Sequence, residues 1–341
     1  MAATIKDVAL HAGVSTTTVS HVLNETRFVA ETTRERVFKA SRELNYAPSA
    51  VARSLKVKTT KSLGMLVTTT LNPFYAEVVR EVEKYCYQQG YNLILCNTDG
   101  DPTKTSSYLQ MLAQKRVDGI LIMCTAYDDA QFQTISSQRD LPMVVMDWGP
   151  TDAYLDRIQD NSFKGGLLAT QYLIDAGHRD IAYIGGPKEK LPAQQRIEGF
   201  RQAMADAGIR INPDWVLESD FECEGGQLAM TELLTRDRLP TAIFAGNDMM
   251  AMGAMSVAQQ RGLKIPEQLS VIGYDNISFS AYFSPPLTTV NQPKEPLAKL
   301  AVSTLIDRLN TPRSEGKVMM LEPDLVIRHS VAAPAGQDRF L

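Results

Sequence analysis

Apolar positions in the first part of the chain recur with helical spacing. Ile5, Val8, Ala9 and Ala12 stand at i, i+3, i+4 and i+7 and mark one face of a helix. Thr4-Ile5-Lys6-Asp7 reads as a capping box that opens it, and Gly13 supplies the positive φ that closes it. A second helix is expected from Ser15, a good N-cap, with Val14 before it placed to meet Val19 as a hydrophobic staple. Val19, Val22 and Leu23 fall on its buried side. A third is expected from about Thr32 to Asn45, opened by Thr32-x-x-Glu35, with Val37, Ala40, Ser41 and Leu44 on one face. Pro48 ends it. Ser49 can cap a further helix through Lys56, too short to hold alone in water, so residues 48–60 read as a conditional hinge and linker.

After Lys61 the pattern changes. Apolar runs (Leu63–Val67, Tyr91–Cys96, Gly119–Cys124, Met143–Met146, Asp180–Ile184, Ala242–Ala245, Leu269–Ile272) alternate with amphipathic segments such as Pro73–Gln89, Ser162–Ala176 and Arg196–Ala207. Such alternation predicts parallel sheets with right-handed crossovers. So many strands in one stretch predict two doubly wound halves. The expected fold class is therefore α/β, with an all-α helix-turn-helix head before two parallel α/β subdomains.

Charge distribution sharpens this division. The chain carries a net charge of −4, yet residues 1–61 carry +5 and the remainder −9. A basic head on an acidic body suggests that only the head approaches nucleic acid. No run reaches the roughly 20 apolar residues of a membrane span, and Met1–Asp7 lacks the basic-then-apolar pattern of a secretory signal. Cys86, Cys96, Cys124 and Cys223 are widely spaced without a C-x-x-C pair, which suggests neither zinc site nor disulfides. A reducing cytoplasm is expected.

Enzyme chemistry finds no foothold. There is no phosphate-binding G-x-x-x-x-G-K-[ST], no G-x-S-x-G elbow and no H-E-x-x-H. His11, His21, His178 and His329 are scattered, with His178 read as decorating a helix end. Gly185-Gly186 is not a dinucleotide fingerprint. No catalytic residue, metal or cofactor is expected.

The head has helix-turn-helix spacing, and in that motif the second helix enters the major groove N-terminal end first. Thr16, Thr17, Ser20 and His21 then face outward, toward base edges and phosphates. Threonine can hydrogen-bond a base edge or lay its methyl on a thymine methyl. The plainer alternative is a polar helix start. In the hinge, Leu55 lies among Ala52, Arg53, Lys56 and Lys58 with no obvious core partner. Proteins that kink DNA push such apolar wedges between base steps. A leucine packing on its own domain remains the alternative.

Ile5-Lys6-Asp7-Val8-Ala9, Gly13-Val14-Ser15-x-x-Thr18-Val19-Ser20 and Leu44-Asn45-Tyr46-x-Pro48-Ser49-x-x-Ala52-Arg53-Ser54-Leu55 closely resemble the LacI/GalR repressor family. The resemblance implies a homodimer on a pseudo-palindromic operator. It implies major-groove readout by Thr16, Thr17 and His21, with Arg27 among the DNA contacts. Ala52, Leu55 and Lys56 would sit in the minor groove, Leu55 opening it. The implied organisation is a head at 1–47, a hinge helix and linker at 48–60, and an effector-binding and dimerisation domain at 61–341. The last resembles periplasmic sugar-binding proteins, with subdomains at about 61–161 plus 292–321 and about 162–291 plus 322–331. The tail 332–341 lacks leucine heptads, so a dimer is expected rather than a tetramer.

A ligand cleft in such a body lies just beyond strand ends. Asn72, Asp147, Asn247 and Asp275 occupy such positions. Phe74, Tyr75, Trp148 and Phe221 can sandwich a ring. The resemblance adds Arg196 and Gln292 as sugar-contacting positions. Asp160 is either a support behind the ligand or a direct acceptor of its hydroxyls, and Asp248 is a structural or secondary candidate. Each has a bland alternative: a strand-end Asp is often a helix N-cap, and Arg196 starts an amphipathic helix where it can pair with Glu198 or Asp160. Within the family, Asn72-Pro73-Phe74-Tyr75, Leu95-Cys96-Asn97-Thr98, Ile158-Gln159-Asp160-Asn161-Ser162, Leu168–Ile174 and Gly246-Asn247-Asp248 resemble the ribose-responsive branch. D-ribose releasing the repressor from operator DNA is the expected control. The alternative is a purine-responsive repressor whose ligand strengthens DNA binding, suggested by Arg27-Phe28-Val29-Ala30-Glu31 and Met143–Gly149. Lys190 and Pro192 depart from the Arg and Thr of that branch. A plain sugar-binding protein is the reading from another class.

Overall fold

The computed structural model describes residues 3–47, 59–124, 141–147, 154–313 and 315–334. The hinge helix with Ala52, Leu55 and Lys56, and the candidate ring plate Trp148, lie outside the described residues. Two compact units emerge, 1–60 and 61–341.

The head is α1 (Ile5–Ala12), α2 (Thr16–Asn24) and α3 (Glu31–Glu43). Its first cap forms as the spacing predicts. Asp7 Oδ2 accepts the Thr4 amide at 2.8 Å, and Thr4 Oγ1 accepts the Asp7 amide at 3.4 Å. Gly13 turns the chain at φ 64°, and Ser15 Oγ accepts the Thr18 amide at 3.0 Å. The third helix differs from the expectation. It starts at Glu31, and its N-cap Ala30 has no side-chain bond; the Ala30 carbonyl takes the Thr33 and Arg34 amides at 2.9 and 3.1 Å. Thr32 is then already inside the first turn, where a capping box cannot form. Val8, Ala9, Ala12, Val19, Val22, Val37 and Ala40 make the core, with Val14, Leu23 and Leu44 packed against it. These small side chains let three short helices approach closely.

Among the described residues the body contains two six-stranded sheets. The first comprises β1 (Ser62–Val67), β2 (Asn92–Asn97), β3 (Gly119–Met123), β4 (Met143–Met146), β5 (Asp156–Asp160) and β11 (Val318–Leu321), in the order β11-β5-β4-β3-β1-β2. The second comprises β6 (Ile181–Gly185), β7 (Val216–Glu218), β8 (Ala242–Ala245), β9 (Ser270–Asp275), β10 (Thr288–Asn291) and β12 (Asp324–Val326), in the order β12-β10-β9-β8-β6-β7. All described pairs are parallel except β10 with β12. The order reversal beside β1 and beside β6 is the doubly wound pattern.

Among the described residues the α-helices of the body are α4 (Pro73–Gln88), α5 (Pro102–Gln114), α6 (Ser162–Asp175), α7 (Leu191–Asp206), α8 (Cys223–Leu233), α9 (Asp248–Gln260) and α10 (Lys294–Asn310). The chain passes between the sheets three times: after β5, between β10 and α10, and between β11 and β12. Through the second passage α10 delivers Leu297, Ala298, Ala301, Val302 and Leu305 to the first sheet's core, against Leu63, Met65 and Val67. Helices α6 and α7 pack almost backbone to backbone. A Cβ on Gly199 would lie 2.1 Å from the Phe163 carbonyl oxygen, and one on Gly166 would lie 2.3 Å from that of Arg196. Pro192 stands in the first turn of α7, which begins at Leu191, so Arg196 belongs to its second turn and not to its start.

Candidate effector cleft and DNA-reading face

On the head, Thr16, Thr17 and Arg27 are exposed and His21 is half-buried. Val19 and Val22, buried on the opposite side of α2, fix which face looks outward. His21 Nδ1 bonds Thr26 Oγ1 at 2.7 Å, which ties the ring to the loop after α2.

In the body a cavity of about 140 Å³ lies between the strand ends of the two sheets. Asn72, Phe74, Tyr75, Arg196, Phe221, Asn247 and Asp275 line it, as expected from the sequence. Thr69, Asp220 and Glu222 also line it without having been expected there, and so does Lys190, noted in the sequence for its departure from the purine-responsive branch. The available signal was positional: they sit in the loops after β1, β6 and β7, beside residues that were singled out.

Each wall follows from local chemistry. Asn72 Oδ1 accepts the Phe74 amide at 3.0 Å and Pro73 opens α4, so this N-cap sets Phe74 and Tyr75 at the cleft. Their rings meet edge to face, 5.6 Å between centroids. Burial, with Asp147 and Asp275 nearby, pushes the Tyr75 phenol well above its ordinary range and keeps it neutral. Across the cavity Phe221 adopts φ 71°, and its ring occupies the space a side chain on Gly186 would need. Asn247 holds it there: Nδ2 donates to the Phe221 carbonyl at 2.8 Å while Oδ1 caps Met250 at 2.9 Å.

Arg196 is 2% exposed. Its guanidinium carbon lies 3.6 Å from the Tyr274 ring centroid, Nη1 donates to the Gly246 carbonyl at 2.5 Å, and Asp275 Oδ1 is 3.7 Å away. The sequence alternatives of Glu198 or Asp160 as ion-pair partner are not what forms. Asp147 and Gln292 do not line the cavity. They lie behind it, where Gln292 Nε2 reaches Asp147 and Asp160 at 3.4 and 3.3 Å. Asp160 also accepts from the Tyr274 hydroxyl, and from Ser162 Oγ at 3.1 Å. Residues from both sheets thus meet in one buried network.

This network is rich in acceptors and short of cations. Burial raises the Asp275 carboxyl well above its usual range, with Arg196 opposing, and burial also raises Asp160. For Arg196, burial works against the charge, but Tyr274, Asp275, Asp160 and Asp147 outweigh it. Arg196 Nε, Asp160 Oδ1 and Gln292 Oε1 are buried without a hydrogen-bond partner. Unmade bonds of this kind are costly, and of the three residues Arg196 is the one that lines the cavity, where a ligand acceptor can meet its guanidinium. Flat aromatic walls add a preference for a ring.

Asp248 and His178 are both held by bonds within the protein. Asp248 Oδ1 accepts the Thr289 hydroxyl at 2.5 Å and Oδ2 the Ile277 amide at 2.9 Å; burial lifts its carboxyl to about 7. His178 is no surface ornament at a helix end. It is buried, bonding Thr241 at 2.9 Å and the Ala332 carbonyl at 2.8 Å, and burial lowers its basicity. Among the described residues no cluster of His, Cys, Asp and Glu could hold a metal ion, and no helix is long and apolar enough to cross a membrane.

Comparison with known proteins agrees with both units. Residues 4–49 match bacterial regulatory proteins of the lacI family, and residues 170–331 match the periplasmic binding protein-like domain. The chain is 54% identical over 329 residues to the HTH-type transcriptional repressor PurR of Histophilus somni (strain 129Pt), covering 96% of this chain and 99% of that protein. The lac repressor dimer bound to operator and the anti-inducer ONPF is 28% identical with a TM-score of 0.87, over 98% of this chain and 100% of that one. A LacI family transcriptional regulator from Enterococcus faecium with bound ribose is 32% identical with a TM-score of 0.74, over 80% of this chain and 100% of that one. With its head, its doubly wound body and relatives alike over nearly its whole length, the chain belongs to the lacI family of bacterial regulatory proteins, as a ligand-responsive DNA-binding repressor.

Proposed function

We propose that the chain binds a pseudo-palindromic operator as a homodimer in the cytoplasm, and that a small ring-shaped polar molecule in the cleft sets its grip on DNA. The observation that carries this is the acceptor-rich, aromatic-walled cleft built from both sheets. Thr16, Thr17, His21 and Arg27 on the head read and hold the duplex, and Ala52, Leu55 and Lys56 enter the minor groove.

Whole-chain likeness to a repressor named PurR supports a purine-type effector that strengthens DNA binding, over the ribose expected from the sequence. In this reading Phe74 and Phe221 sandwich the base, Asp275 and Glu222 accept from its N–H groups, and Arg196 and Lys190 donate to its carbonyl. A second reading, ribose releasing the operator, draws its support from a ribose-bound regulator alike in fold. Effector choice rests on a few side chains more than on overall identity. That regulator is similar over 80% of this chain.

Calorimetry with hypoxanthine, guanine and ribose separates the two. It is paired with gel shifts on promoter fragments from purine-synthesis and ribose-uptake genes, with and without each ligand. Purine binding that tightens a shift supports the first reading. Ribose binding that loosens one replaces it with the second. A cleft that binds none of the three overturns the effector assignment.

A further inference from the structure

We propose that Lys294, held by Glu77, is a positioning residue that sets the Asp275 carboxylate for ligand and links the cleft to the first sheet. The link rests on the cleft being the effector site.

Asp275 ends β9 at φ 104°, and Asn276 follows at φ 50°. Asparagine tolerates the left-handed region of Asn276, but the φ of Asp275 lies beyond it, so the segment persists only if its surroundings hold it. Three side chains do so. Lys294 Nζ donates to the Asp275 carbonyl at 2.8 Å and to the Asn276 carbonyl at 2.7 Å. Arg328 Nη2 donates to Asn276 Oδ1 at 2.7 Å, and Asn276 Nδ2 donates to Asn291 Oδ1 at 3.0 Å. Arg328 and Asn291 come from the second sheet's own side. Lys294 does not: it opens α10, the helix that completes the first sheet's core.

Glu77 completes the strap. Its Oε2 lies 3.3 Å from Lys294 Nζ, and its Oε1 accepts the Ser278 amide at 2.7 Å. Glu77 sits on α4, one turn beyond the ring plates Phe74 and Tyr75. One ion pair therefore joins the α4 wall of the cleft, the first sheet's last helix and the strained carboxylate opposite. Charge-assisted bonds to two consecutive carbonyls fix the peptide plane between Asp275 and Asn276, and with it the direction of the Asp275 side chain. A ligand that pulls on Asp275 must then pull on α10.

The test compares Lys294→Met, Lys294→Arg and Glu77→Ala in the full-length protein. Calorimetry uses hypoxanthine and ribose; operator affinity is measured with and without each ligand. Lys294→Met is expected to weaken ligand binding about tenfold and to shrink the ligand's effect on operator affinity by a similar factor. Ligand-free operator affinity stays within about twofold, and Lys294→Arg restores most of the loss. Hydrogen exchange of residues 276–278 needs no ligand. It is expected to quicken about tenfold at Ser278 in Lys294→Met and Glu77→Ala. Wild-type exchange in both variants would overturn the strap whatever the effector is. Wild-type ligand affinity and response would overturn the positioning role. If the unaltered protein bound neither ligand while exchange quickened as expected, the effector reading would fail and the strap would stand.

Discussion

Arg196 is the buried cation on which the cleft's electrostatics turn, and replacing it with methionine isolates its contribution. Methionine keeps the unbranched stem that packs in α7 but removes the guanidinium. The structure sets the size of the effect. Arg196 and Asp275 are 2% and 4% exposed, with 3.7 Å between Nη1 and Oδ1. Removing one partner of such a pair leaves a buried charge uncompensated, at about 3–5 kcal/mol. The variant would also lose the cation–π contact with Tyr274, about 2 kcal/mol when desolvated. These terms overlap, because one group makes both, so the expected loss is about 3–5 kcal/mol at neutral pH. The stranded Asp275 carboxyl, already raised by burial, then rises further. A raised folded-state carboxyl stabilises the fold while protonated and loses that contribution as pH climbs through its titration. The penalty of Arg196→Met should therefore shrink at pH 5.5 relative to pH 7.5. Urea unfolding followed by tryptophan fluorescence at both values measures it. Adding Asp275→Asn should recover about 2 kcal/mol at pH 7.5, since the unpaired charge is then gone. A loss below about 1 kcal/mol, or no recovery in the double variant, would refute the uncompensated-charge argument.

Other expectations follow from single contacts. Gly199→Ala forces α6 and α7 apart and should cost about 1–3 kcal/mol in urea unfolding; a neutral change would mean that the helices yield freely. Burial holds the Asp248 carboxyl near 7, so it stabilises the fold most below its unfolded value near 4 and progressively less up to 7. Asp248→Asn should flatten the fall in melting temperature between pH 4 and 7, and an unchanged slope would place the titration elsewhere. Leu55→Ala should weaken operator binding about tenfold or more and reduce DNA bending in a circular-permutation gel assay; unaltered bending would show that Leu55 is not inserted. Removing residues 1–60 should abolish operator binding while leaving calorimetric ligand binding intact, because the body forms a compact unit without them.

What the sequence revealed depended on whether a signal was local. The head's first two helices were legible because Thr4, Gly13 and Ser15 act within their own turns. Strands buried on both faces, such as Met143–Met146 and Ala242–Ala245, were legible to the residue as apolar runs. Strand β5, with the sequence Asp156-Arg157-Ile158-Gln159-Asp160, was not, because its alternation places charges inward. Arg308 bonds the buried Asp156 from another part of the chain, so no neighbour in sequence announces the pairing. Most of the cleft could be found from the rule that ligands meet strand ends. Asp220 and Glu222 escaped because a polar loop residue looks the same whether it faces water or a cavity. Asp147, expected at the ligand from its strand-end position, and Gln292, expected there from the family resemblance, stand behind the cavity lining and bond one another.

The late return of α10 and β11 to the first sheet bears on how the chain is made. The first sheet's early strands leave the ribosome long before the residues that cover them, and Leu297 to Leu305 emerge when most of the protein is already outside. A message broken before that point would yield an intact DNA reader carrying a body with an open apolar face. Quality control would then have a clear mark by which to remove fragments that could otherwise occupy operators without answering to any ligand.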